Sequence, residues 1–300
     1  MEKKLVYFTI TLLIISLMAV SVVSAGFFDW FKPTGKAAAQ LTNVTVGVTG
    51  INPAQIIYVS PISAVNPLEA GSKAVTFSVR MKDIDGVNDL NDTSVSANFS
   101  KTDEATRFSS ACTWVNDIDT TTANYSCSID MWYWDGASTS WGVGVKGKDL
   151  GNLTEVYNTT TIFGYNELKA MVISPPALTW AALNSGDANK ESTNDPTVVN
   201  NTGNYNSTIA LTAINLLGAI TPADMIAAAD FKTDVSSPCS GITLVNASAA
   251  TITNSVANRG NLSAGSGAGQ EELYYCIPLV PNVPSQTYST AAGGSWTVAY

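Results

Sequence analysis

Residues 83–92, Asp-Ile-Asp-Gly-Val-Asn-Asp-Leu-Asn-Asp, hold the densest set of chemically able groups in this chain. Asp83, Asp85, Asn88 and Asp89 place four oxygen-bearing side chains within seven residues, a donor set suited to a hard cation such as calcium. The EF-hand spacing is not met, because the glycine falls fourth, at Gly86, and the twelfth residue is Ser94. The competing reading is a loop whose Asp and Asn side chains fold back onto their own backbone. A second feature is the pair Trp132 and Trp134. If Met131 and Tyr133 face inward on a strand, the two tryptophans face the other way, where indoles stack on sugar rings or meet a protein partner. Against that stands a covered face, packed under the rest of the chain. The adjacent carboxylates Asp103-Glu104 and Glu271-Glu272 point to opposite sides of any strand, so they are poor acid–base pairs and are expected as solvated charge. The sequence contains no histidine, which removes Ser-His-Asp and Cys-His catalysis and every histidine-containing metal site. No glycine-rich phosphate loop and no thiol pair at redox spacing is present. A non-enzymatic protein is expected, with no cofactor unless calcium fills the acidic loop.

The chain must carry these groups outside the cytosol. Lys3 and Lys4 precede an uncharged, largely apolar run over residues 5–23, and Val23-Ser24-Ala25 offers a small-residue cleavage site. Residues 1–25 therefore read as a signal peptide. The run would span about 28 Å as a helix, so a retained signal anchor is the alternative. Either way the remainder is secreted or tethered at the cell surface, touching membrane only through this segment. Four cysteines, Cys112, Cys127, Cys239 and Cys276, suggest one disulfide in each half. Ten Asn-x-Ser/Thr sequons, at Asn43, Asn91, Asn98, Asn124, Asn152, Asn158, Asn200, Asn206, Asn246 and Asn261, fit a glycoprotein and are expected to face solvent. They also follow in part from composition, since 87 of the 300 residues are Ser, Thr or Asn. The formal charge of −9 opposes nucleic acid as a partner.

An all-β architecture of two tandem β-sandwich domains is expected to position these groups. Residues 26–43 form an aromatic stub (Phe27, Phe28, Trp30, Phe31) and linker, residues 44–165 the first sandwich, and residues 166–300 the second. Val75, Phe77, Val79 and Met81 alternate with polar residues, as do Tyr125 to Tyr133 and Trp141, Val143 and Val145, each the pattern of a half-buried strand. Val199, Leu211, Tyr275 and Val298 mark strands of the second half. One short helix is expected over residues 221–230, with Thr221 as cap, Pro222 at the first position and alanines following. The last six residues read as a strand suited to a sheet edge.

The stretches VTFSVRMKDIDGVNDLND (residues 75–92), YSCSIDMWYW (125–134) and SWGVGVKGKDLGN (140–152) resemble the immunoglobulin-like modules of archaeal secreted and cell-surface proteins. LTWAALNSGDANKESTNDPTVVNNTGN (178–204) is similar to the companion β-sandwich of such proteins. The resemblance implies a fold and a compartment, and it transfers no active site. The function expected is structural or adhesive, through contacts with other surface proteins or with further copies along strand edges. The alternative is a carbohydrate-binding module that uses Trp132 and Trp134.

Overall fold

A computed structural model describes residues 45–46, 52–109, 111–151, 156–237, 239–264 and 267–300. The signal segment, the aromatic stub, Asn43 and Asn152 lie outside the described residues. No described helix is long and apolar enough to cross a membrane. The described chain is all-β: every strand pairing is antiparallel, the sheets are several and small, and the helical turns are short 3-10 segments. Residues Thr49–Tyr300 form one compact unit.

Eight strands build its first half: β1 (Gln55–Val59), β2 (Ser72–Lys82), β3 (Ser96–Ser100), β4 (Arg107–Phe108), β5 (Thr113–Asp117), β6 (Thr122–Trp132), β7 (Ser138–Gly147) and β8 (Val156–Tyr165). They make two four-stranded sheets, ordered β1-β2-β6-β5 and β4-β3-β7-β8. The longest pairing runs unbroken from Ser72 opposite Trp132 to Lys82 opposite Thr122. Strict alternation explains that register, because a slip of one residue would turn every apolar side chain of β2 and β6 to solvent. Phe77, Val79, Met81, Tyr125, Ile129 and Met131 instead join Phe99, Trp141, Val143, Val145, Phe163 and Tyr165 in one buried cluster. Each such side chain contributes about 1.5–3 kcal/mol by leaving water. Cys112, buried just before β5, is bonded to Cys127 on the neighbouring β6.

The second half is organised around the strand Gln270–Leu279, which pairs with Thr197–Asn201, Ala188–Glu191 and Lys232–Asp234. Two three-stranded sheets complete it, one centred on Ala210–Thr212 and one on Leu216–Gly218. Val199, Ile209, Leu211, Phe231, Leu244, Leu273, Tyr275 and Ile277 form a second core. Trp180 and Trp296 meet the ring of Phe231 edge-on at centroid distances of 5.4 and 5.1 Å. Thr297–Ala299 takes an edge position beside Ala210–Thr212, as its sequence suggested. Cys239 is bonded to Cys276.

The helix expected over residues 221–230 does not form. Met225–Ile226 is a strand paired with Leu216 and Leu217, and only Ala228–Asp230 makes a 3-10 turn. Tertiary partners take the backbone donors that a helix would have left to capping. The Gln286 side-chain oxygen accepts from the Ile220 and Thr221 N–H groups at 2.9 and 3.0 Å, and Asn215 Oδ1 accepts from Ala228 N–H at 2.9 Å. Helix propensity is a weak preference, and specific long-range hydrogen bonds override it here.

Candidate functional site

Residues 83–92 leave the end of β2 and are pinned on two sides. Asp83 and Val87 donate their N–H groups to Thr121 O and Thr120 O, at 2.8 and 3.0 Å, tying the segment to the β5–β6 turn. Asn91 N–H donates to Lys148 O at 3.1 Å, and Leu150 N–H donates to Asp89 O at 2.6 Å. Gly86 sits at φ 119°, which side chains of L-residues rarely adopt, and lets the chain reverse into the turn Val87–Asp89. Leu90 plugs the core beneath.

This folding gathers three of the four sequence-predicted groups. Carboxylate oxygens of Asp83, Asp85 and Asp89 lie within 4.8 Å of one another. Asp83 is fully buried, Asp89 half-buried and Asp85 exposed. Asn88 lies exposed on the same turn. One oxygen of Asp83 accepts from Asp85 N–H at 2.8 Å, the side-chain turn that the sequence allowed as the competing reading. The backbone N–H and side-chain amide of Asn52 donate to Asp85. Asp83 Oδ2 and Asp89 Oδ2 are buried and accept no hydrogen bond among the described residues. Asp149, buried and bridged to Leu90, stands beside the three. Burial pushes the Asp83 carboxyl above its usual range, and the charges of Asp89, Asp85 and Asp149 push it further, against the one N–H that favours ionisation. Asp149 was missed because its place depends on β7 returning beside the loop; only the Asp-Leu-Gly-Asn turn hinted at it.

Met131 and Tyr133 are buried, and the two tryptophans lie together. β6 ends at Trp132, so Trp134 lies on the turn beyond it and not on the strand face. Both are half-buried, their rings stacked on each other at 4.8 Å and 19°. The Arg107 guanidinium lies 5.9 Å from the Trp134 ring centre. Trp132 also lines an open groove with Thr106, Arg107, Phe108, Ser128 and Asp130.

No family model matches the chain, and no curated protein is similar to it.

Other expected positions fall as follows. Among the described sequons, Asn206 and Asn246 are exposed, and Asn91, Asn98, Asn124, Asn200 and Asn261 are half-buried; Asn158 lies on β8. Several have their side-chain oxygen engaged, as in Asn206 Oδ1 accepting from Arg259 N–H at 2.6 Å. Glu104 is corrected outright. It is no solvated charge, for its side chain is 8 % exposed and bound by Arg259 from the second half of the chain. Glu271 accepts from Val256 N–H, and Glu272 from the Tyr274 hydroxyl. The two disulfides place the protein in an oxidising environment.

Proposed function

We propose that this is a non-enzymatic extracellular surface protein with a structural or adhesive role, making contact with its own copies or other surface proteins through strand edges. The carrying observation is β5. It is outermost in its sheet, and all five of its residues are exposed. Trp114, Val115 and Ile118 are 45, 48 and 46 % exposed beside the unpaired backbone of that edge. Lone surface hydrophobes are ordinary, but three within five residues on an open edge favour pairing with another chain. A bulge between Trp114 and Asn116, together with Asp117, opposes indiscriminate stacking and favours a matched partner.

The strand orders support an immunoglobulin-like reading of residues 44–165. β1-β2-β6-β5 follows the order A-B-E-D, and β4-β3-β7-β8 follows C′-C-F-G. The shared core of residues 166–300 supports a second β-sandwich. Disulfides, sequons and the apolar N-terminal run together support export, with or without a membrane tether through residues 1–25.

A second reading rests on the groove beside β6. Trp132 and the exposed Phe108 supply apolar faces, and Asp130 and Arg107 supply polar groups, a combination that suits a sugar ring. Sedimentation velocity over a hundredfold concentration range tests the first reading: the average mass rises for the natural chain and stays monomeric for Val115→Lys. A concentration-independent monomer with no fibres in electron micrographs, alongside a glycan-array signal lost in Trp132→Ala, would move the assignment to the carbohydrate-binding module.

A further inference from the structure

The acidic loop carries an inference that goes beyond the surface role and does not depend on it. Three carboxylates meet at one end of the first core, where like charges repel and the burial of Asp83 removes water that would screen it. Among the described residues no lysine or arginine forms an ion pair with Asp83, Asp85 or Asp89. Asp83 is completely buried, and its Oδ2 has no donor. Asp89 Oδ2 is in the same condition. A buried carboxylate oxygen without a donor is disfavoured, and one such atom would be a defect. Two in one cluster, on a loop hydrogen-bonded on both sides, make a place where a cation would be favoured.

We propose that Asp83, Asp85 and Asp89 bind a calcium ion. Their oxygens, all within 4.8 Å of one another, fit inside a calcium coordination sphere, across which opposite oxygens stand about 4.6–5.2 Å apart. Magnesium holds opposite oxygens about 4.0–4.2 Å apart and keeps most of its waters, so it gains less from a cluster of protein carboxylates. Asp149, itself buried, brings a further carboxylate beside the three. The exposed side of Asp85 gives the ion its entry. Asn52 orients Asp85, and the Asp85 N–H orients Asp83, so the donors are held before the ion arrives. The bound ion would lock residues 83–92 to β2, to the β5–β6 turn and to residues 148–150.

Calorimetric titration of the chelator-washed full chain with CaCl2, alongside thermal melts, tests this. One ion should bind per chain, and at a hundredfold excess over Kd the melting temperature should rise by about 5 °C. MgCl2 should raise it less. Asp83→Asn and Asp89→Asn should each weaken calcium binding about tenfold or more. Asp85→Asn, on an exposed side chain, should do the same and covers the case in which a buried variant fails to fold. Absence of both binding heat and melting shift at 10 mM calcium (about a hundredfold above the weakest calcium modules' lower Kd limit) overturns the proposal. So does an equal response to magnesium, or calcium binding left unchanged in Asp85→Asn.

Discussion

Asp135 shows how much one side chain can hold. It follows β6 on the turn into β7, it is buried, and its carboxylate holds two partners, Arg107 reaching both oxygens and Trp132 sharing one of them. Arg107 grips it through both Nε and Nη2, and the Trp132 N–H donates to Oδ2 at 2.7 Å. The Asp135 carbonyl accepts from Asn204, so the same residue also meets the second half. Asp135→Ala would leave a partly exposed guanidinium and a backbone N–H without the buried acceptor they share. Breaking one side of a buried ion pair costs about 3–5 kcal/mol, and chemical denaturation of the variant should report a loss in that range. Arg107→Ala should cost less, because Arg107 is partly exposed and Asp135 keeps the Trp132 N–H. If both substitutions fall below about 1 kcal/mol, the pair is behaving as a surface salt bridge and this account of the turn is wrong.

At the scale of elements, the strands with one face in the core were legible and the short ones were not. The alternation in β2, β6 and β7 could be read directly because period two admits one register against a core. The segment 221–230 was misread because local propensity spoke for a helix, while the deciding groups, Gln286 and Asn215, lie elsewhere in the chain. The acidic loop was visible as four donors in a row, but Asp149 and the burial of Asp83 depend on how β7 closes beside it. The disulfides follow the same division: pairing by proximity in sequence was legible, their burial was not. Both cross-links act mainly on the unfolded chain. Closing 15 and 37 residues implies about 3.0 and 3.8 kcal/mol respectively. Paired serine substitutions should therefore lower the urea midpoint in both cases, and more for Cys239/Cys276. A larger effect from removing Cys112 and Cys127 would point to lost packing in the first core, where both cysteines are buried, as the dominant contribution.

At the scale of the whole unit, two cores meet across a polar contact whose partners are far apart in sequence. Arg259 donates to both oxygens of Glu104, at 3.1 and 2.6 Å, and to Trp134 O at 2.7 Å, across a separation of 155 residues for Glu104. Asn204 donates to Asp135 O, Leu262 N–H donates to the Tyr133 hydroxyl, and Thr202 donates to Glu69. Gly136 lies under the ion pair, where a Cβ would collide with the Glu104 carboxylate. Such a contact should couple the cores into one unfolding transition, and its strength should follow pH. Burial alone would raise Glu104, but the hydrogen bonds and charge of Arg259, the Gly136 N–H and Lys101 outweigh it and bring the carboxyl below its ordinary value of 4.5. A carboxyl depressed in the folded state stabilises fully above its unfolded value and loses that contribution as pH falls through the folded one. The natural chain should thus melt in one calorimetric transition at pH 7, above Glu104→Gln, and the gap between the two should close on acidification below about pH 4.5. Arg259→Ala should separate the transition into two, one for each core. The comparison with Glu104→Gln isolates this carboxyl from Asp83 and Asp195, whose raised values act in the opposite direction and are common to both chains. A gap that persists unchanged to pH 3, or a single transition in Arg259→Ala, would mean that the apolar cores rather than this ion pair join the halves.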